Sequence, residues 1–284
     1  MEVDLTAPLE GLVYEKRDHI AYIRLNRPER GNALHASMIE PIKAIWAEVR
    51  EDPWIRCTII TGTGDRHFCT GADLGAVAAR GGVKAGKGPL AEEVHWSPRH
   101  NAVWKPTICA VNGLVAGAGF HFVVDSDIVV ASDQASFVDT HTNVGMVGAV
   151  ENIGLAKRLP LGSALRLTLC GRHYRMPAER AYQLGLVDEL APPDKVMEAA
   201  EEIAGQICKN SPAAVSLSMQ AVWSSVEMGY TNSLEYGWAL LRMHWDHPDF
   251  KEGPRAFVEK RDPVWVTGEE QAEANKPEAN EPAS

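Results

Sequence analysis

Short apolar runs alternate with stretches of helical periodicity over the first two thirds of this chain, and that rhythm limits the folds open to it more than any other feature. Ile20 to Leu25 reads as a strand. Residues 33–50 then carry apolar side chains at helical spacing through Leu34, Met38, Ile42, Ile45 and Val49. Cys57 to Ile60 is a second strand, stopped by the Thr-Gly-Thr-Gly turn signal at 61–64. Thr107 to Val111 and Asp127 to Ala131 read as two more. Strand, helix, strand at this spacing predicts an α/β fold with crossover connections. No repeat of fixed period stands out.

The last third turns helical. Ser211 is placed to cap a helix whose first position is Pro212, with Val215, Met219, Val222 and Val226 on one face. Asn232 and Glu235 form a candidate capping pair for a second helix with an apolar stripe through Leu234, Trp238, Leu241 and Trp245. Such helices either complete the core or make a subunit interface. Residues 78–89, rich in Gly and Lys, and residues 267–284, rich in Glu, Ala, Asn and Pro, read as mobile or disordered. The expected division is therefore an α/β core over 1–200, a helical region over 201–266 and a tail over 267–284.

Composition removes several function classes. A formal charge of −10 disfavours nucleic acid, whose phosphates require clustered Lys and Arg. No run approaches the ~20 apolar residues of a membrane span, and the acidic N-terminus lacks the pattern of a secretory signal. Five scattered cysteines without a CxxC pair suggest reduced side chains in a cytoplasmic protein.

Two Gly-rich segments carry the chemistry. In Phe68-Cys69-Thr70-Gly71-Ala72-Asp73-Leu74, Gly71 lets the backbone turn sharply and can leave the next N–H free to face a cleft. In the segment from Val111 to His121 (VNGLVAGAGFH), small residues lead from a strand into a helix, where free N–H groups and the helix dipole favour negative charge. Two N–H groups aimed at one point form an oxyanion hole. Phosphate-binding alternatives fit poorly, because there is no GxxxxGK[ST] and no complete GxGxxG.

Together these segments resemble the crotonase (enoyl-CoA hydratase/isomerase) superfamily. Leu25 to Leu34 (LNRPERGNAL), FCTGADL, VNGLVAGAGF, the segment from Arg180 to Asp188 (RAYQLGLVD) and that from Glu252 to Arg261 (EGPRAFVEKR) are similar to its successive signatures. The resemblance implies a β/α spiral core with a C-terminal helical trimerisation region, assembled as a homotrimer or a dimer of trimers. It implies oxyanion-hole donors at Ala72 and Ala118. Coenzyme A would enter as part of the thioester substrate, with no permanently bound cofactor, near Arg30, Ala33, Gly71, Asp73, Leu74, Gly117, Phe257 and Lys260.

Hydratases of this family use a pair of Glu residues, and at the matching positions this chain has His121 and His141. Glu151 lies where isomerase and dehalogenase relatives place a carboxylate. Asp139 and His141, two residues apart, share one side of the chain if the segment is extended. The expected acid/base is His141, oriented by Asp139, with His121 as helper and Glu151 as the alternative base. Each has a plainer reading: His121 as a packed side chain, Glu151 as an exposed helix-start acid. A metal site lacks a third ligand at suitable spacing. His95 and His100 lie in a polar stretch without a site pattern, and Cys69 reads as packing rather than a nucleophile. Enoyl-CoA hydration or isomerisation is the leading expectation. The alternatives are carbon–carbon bond hydrolysis of a β-diketone or β-keto thioester, which a branch of the family with a His near position 141 performs, and non-catalytic binding of CoA or RNA.

Overall fold

The computed structural model describes residues 3–82 and 86–266. The tail at 267–284 and part of the 78–89 segment lie outside the described residues. Among the described residues, ten strands form two sheets. The larger contains β1 (Leu12–Arg17), β2 (Ile20–Leu25), β3 (Cys57–Gly62), β5 (Thr107–Val111), β7 (Ile128–Ser132) and β10 (Glu189–Ala191), in that spatial order. The smaller orders β4 (His67–Cys69), β6 (Leu114–Ala116), β8 (Ser136–Val138) and β9 (Met176–Pro177). Pairing is antiparallel at the β1–β2 hairpin and at β8–β9, and parallel elsewhere.

Three times the chain lays a strand in the larger sheet and the next in the smaller: β3 then β4, β5 then β6, β7 then β8. The helix α1 (Ile39–Glu51) precedes the first pass, α2 (Leu74–Ala79) and α3 (Leu90–Glu93) lie between the first and second, and α4 (Phe120–Asp125) lies between the second and third. The result is a spiral of stacked strand pairs. After it come α5 (Val150–Arg158), α6 (Leu161–Cys170), α7 (Ala178–Gln183) and α8 (Val196–Cys208).

The larger sheet is covered on both faces, which is why its strands read as unbroken apolar runs. All six residues of β3 are buried. Cys57 and Ile59 face one side with Ala200 and Ala204 of α8, while Ile60 faces the main core with Ile42, Ile45 and Trp46 of α1. Trp46 is fully buried and donates its indole N–H to the Trp96 carbonyl at 2.9 Å, so its one polar atom is satisfied.

The four long strands expected from sequence are present. Helical periodicity over 33–50 is realised as a 3₁₀ turn at Ala36–Met38 followed by α1. Leu34 instead lies extended and bridges to Ala72. The chain then ends in α9 (Pro212–Ser224), α10 (Tyr230–His244) and α11 (Pro248–Glu259). Ser211 caps α9 as expected, accepting the Ala214 N–H at 3.2 Å. Asn232 does not cap α10: that helix begins after Gly229, and Asn232 lies inside its first turn. Its stripe stays outside the core, with Leu234 55% and Trp238 49% exposed. Trp238 packs edge-on against Trp245 at 5.4 Å between ring centroids.

Candidate active site

The connections that leave the carboxyl ends of β4, β6 and β8, neighbouring parallel strands, build the site. This is where α/β sheets generally bind ligands. After β4 the chain turns at Gly71, whose φ is +84°. The Leu34 N–H donates to the Gly71 carbonyl at 2.7 Å, and the Asp73 N–H donates to the Leu34 carbonyl at 2.9 Å. In extended backbone these bonds share one edge, so the Ala72 N–H faces the other way. It has no backbone acceptor among the described residues.

After β6 the chain passes through Gly117 and Ala118 into α4. The two connections touch. A Cβ on Gly71 would stand 2.9 Å from the Ala116 carbonyl oxygen and 3.0 Å from the Ala118 nitrogen. Both expected donors, Ala72 and Ala118, therefore belong to one small region.

After β8 come Asp139 and His141. A Cβ on Gly117 would lie 3.7 Å from His141 Cε1 and 4.0 Å from its Nε2, so the imidazole abuts the presumed hole. The segment is not extended at His141, which has helical backbone angles. Asp139 still orients the ring, but through a turn: its Oδ1 accepts the His141 backbone N–H at 3.1 Å and the ring Nδ1–H at 2.7 Å. The other ring nitrogen, Nε2, lies 3.0 Å from Glu151 Oε1. Glu151 sits in the first turn of α5, where the helix dipole favours its charge. Its second oxygen is 3.8 Å from His121 Nε2 on α4. The four residues expected to carry acid/base chemistry thus form one cluster, with Asp139, His121 and Glu151 buried and His141 half-buried.

The charges follow from these contacts. Hydrogen bonds to Asp139 and then Glu151 raise the His141 pKa to about 10, against the opposing effect of burial. A ring held by carboxylates at both nitrogens is an imidazolium at neutral pH and has no lone pair to act as a base. Burial alone would raise Glu151, but the His141 hydrogen bond and the nearby His121 outweigh it and hold the carboxyl below its ordinary value. Asp139 is lowered in the same way, with burial overcome by His141 and Asn152. Burial moves His121 in the neutral direction, with Glu151 opposing. Its Nδ1 is buried without a hydrogen-bond partner.

The raised His141 pKa gives a stability prediction with a definite sign. The stabilisation is fully present below the ring's unfolded value, near ~6.5, and is lost as pH rises through about 10. Nitrogen NMR of His141 is expected to show both ring nitrogens protonated at pH 8, and the urea midpoint is expected to fall between pH 7 and pH 10. Titration of His141 near pH 6.5 would contradict the ion-pair geometry.

Residues outside the expected set support the cluster. Asn152 donates to Asp139 Oδ2 at 2.6 Å and lies 2.7 Å from the Thr168 hydroxyl of α6. His100 packs edge-on against His121, with ring centroids 5.5 Å apart, and its Nδ1 lies 2.7 Å from the Ser97 hydroxyl, which donates to Asp125. The sequence offered no signal for these contacts beyond the adjacency of Asn152 to Glu151. Asp73 is engaged within the fold: it caps α2 and receives Arg27 at 2.8 Å, while Arg30 is exposed. Ala33 is buried and gives its carbonyl to Arg27 at 2.7 Å. Leu74, Phe257 and Lys260 are exposed. Burial pushes the Cys69 thiol up to about 12, as suits a packed side chain. No group of three or more His, Cys, Asp or Glu among the described residues is arranged to hold a metal ion.

The chain is similar to known proteins over most of its length. Residues 15–268 match the family enoyl-CoA hydratase/isomerase. The chain is 32% identical to (E)-benzylidenesuccinyl-CoA hydratase of Thauera aromatica, over 88% of this chain and 97% of that protein. It is 33% identical to carnitinyl-CoA dehydratase of Proteus mirabilis, over 88% and 95%. A crystal structure of an enoyl-CoA hydratase/isomerase from Mycobacterium paratuberculosis superposes with a TM-score of 0.82 at 36% identity, covering 90% of this chain and 98% of that one.

Proposed function

The chain belongs to the enoyl-CoA hydratase/isomerase family, and from that premise we propose that it adds water to the double bond of an enoyl-CoA thioester, or removes it in reverse, with Glu151 as the acid/base. The observation that carries this reading is the juxtaposition of the Ala72–Ala118 region with the His141–Glu151 pair. The thioester oxygen sits between the two backbone N–H groups. Glu151 takes a proton from water as its oxygen attacks Cβ, and the electrons of the double bond move onto the thioester oxygen as an enolate. The proton returns to Cα, so water is consumed and no net proton is released. The His141 imidazolium, beside the hole, fixes the carboxylate and favours the enolate charge.

Isomerisation needs only one base that takes and returns a proton. Hydration needs a second group to hold the water, and His121 Nε2, 3.8 Å from Glu151 Oε2, is near enough for one substrate water to bond to both. That spacing favours hydration. Coenzyme A enters with the substrate and leaves with the product, near the Arg27–Asp73 pair and Leu74, while Phe257 on α11 and Lys260 just after it complete the CoA contact in the assembled protein. No helix among the described residues is long and apolar enough to cross a membrane.

A panel of enoyl-CoAs of different acyl groups, with isothermal titration of the matching saturated thioesters, tests the reading. Turnover with loss of the enoyl absorbance is expected. Absence of both binding and turnover across the panel, in folded protein, would overturn it. The exposed stripe of Leu234, Trp238, Leu241 and Trp245 supports assembly as a homotrimer or a dimer of trimers. Light scattering on the same preparation is expected to give three or six chains, and a monomer at micromolar concentration would refute the assembly.

A further inference from the structure

A cavity of about 760 Å³ lies behind the acid/base cluster, between α4, α5 and α9. Its nearest wall adjoins the site: Val150 and Ile153 flank Glu151 on α5, Val124 and Asp125 follow His121 on α4, and His100 packs against His121 while lining the cavity. Most of the remaining wall is apolar, with Met219, Val222 and Val226 opposite. A hydrocarbon tail alone would need nothing else. Yet Arg99 also lines the cavity, and among the described residues its guanidinium makes no hydrogen bond.

Most of the other charged groups around it make side-chain hydrogen bonds, with the Glu227 carboxylate the exception. Arg158 donates to the carbonyls of Val124 and Ser126. Asp125 accepts the Ser97 hydroxyl. Asp127 accepts the Thr107 N–H at 2.7 Å and the Trp223 indole N–H at 2.6 Å. Lys157 at the rim donates to the Val226 carbonyl at 3.1 Å. The Arg99 guanidinium is instead stacked between two indoles, 4.2 Å from the Trp104 ring centroid and 4.4 Å from that of Trp223. Its Nη1 is buried and unpartnered. The carboxylates of Asp127, Asp125 and Glu227 offset its charge at a distance, but none bonds to it. A guanidinium presents a planar fork matched to a carboxylate, and stacking on both faces leaves only its edge available to one.

We propose that the acyl group carries a second, free carboxylate beyond its reacting double bond, and that Arg99 reads it. The substrate class is then the mono-CoA thioester of a short unsaturated dicarboxylic acid. The remaining carbons lie against the apolar wall formed by Val150, Ile153 and Val222. This inference rests on the hydratase reading and narrows its substrate.

The test compares trans-2-hexenedioyl-CoA with trans-2-hexenoyl-CoA, which differ only in the terminal carboxylate. Wild-type kcat/KM is expected to favour the dicarboxylate on the order of 10–100-fold, the effect of a charge-assisted hydrogen bond. Arg99→Met is expected to abolish that ratio and Arg99→Lys to retain part of it. Competitive inhibition of the wild type by the saturated pair, adipoyl-CoA and hexanoyl-CoA, needs no variant and should show the same preference. Equal kcat/KM for the two enoyl substrates, or a preference that survives in Arg99→Met, would overturn the proposal while leaving the hydratase reading standing. Tight, Arg99-dependent inhibition by adipoyl-CoA without turnover of either enoyl substrate would do the reverse.

Discussion

Replacing Glu151 with Gln is expected to lower kcat by roughly 10²–10⁴-fold while leaving binding of a saturated acyl-CoA nearly intact. Gln has the same shape and can still accept from His141 Nε2, so the loss reports the missing base rather than a collapsed site. His141→Ala tests the rival assignment, in which the histidine moves the proton. Were Glu151 the base, that substitution would cost less in kcat and would change the pH profile instead. Without the His141 hydrogen bond, burial dominates and the Glu151 pKa rises. The acid limb of the profile therefore moves to higher pH. In the wild type, activity should be level from below the ordinary carboxylate range up to about 10, where His141 loses its proton. A Glu151→Gln enzyme with near wild-type turnover, beside an inactive His141→Ala, would return the role to His141.

The second large effect is expected at Gly71. Gly71→Ala places a methyl group 2.9 Å from the Ala116 carbonyl oxygen and 3.0 Å from the Ala118 nitrogen, on a backbone with φ of +84°. The two connections must separate, and both hole donors move. The expected loss in kcat is about 10²–10³-fold, comparable to losing one oxyanion-hole donor. Positive φ at a side-chain-bearing residue also costs ~1–3 kcal/mol of stability. Gly64 separates the two effects. Its φ is +91°, and a Cβ there meets nothing within 4 Å. Gly64→Ala should therefore lose similar stability and keep near wild-type kcat. Equal kcat in the two variants would show that Gly71 matters only for folding.

The stacking of the small sheet explains why these effects concentrate where they do. β4, β6 and β8 are parallel neighbours, so their carboxyl ends lie side by side. Each delivers one part of the proposed site: the Ala72 N–H after β4, Ala118 after β6, and an imidazole oriented by Asp139 after β8. A carboxylate from α5 completes the cluster. Outside this cluster, the apolar stripe along α10 is exposed and the Arg99 Nη1 is buried without a partner.

The amino-acid sequence by itself determined the α/β class, the four long strands, the capped helix at Ser211 and the signatures around Gly71 and Ala118. These rest on local signals: apolar runs of five or six residues, helical spacing, and small residues where backbone must approach backbone. The small sheet was not legible, because three-residue strands such as His67–Cys69 and Leu114–Ala116 are too short to show a period. Asn232 misled because capping chemistry is decided by where the helix starts, and Gly229 starts it earlier. The identities of Asp139, His121, His141 and Glu151 as a group could be read from position, but their division of labour could not. Only the fold places Glu151 Oε1 3.0 Å from His141 Nε2. That contact adds to the nearer one from Asp139 in raising the imidazole pKa to about 10, and the part that Glu151 contributes depends on a helix the fold brings beside the ring rather than on any residue's own spacing.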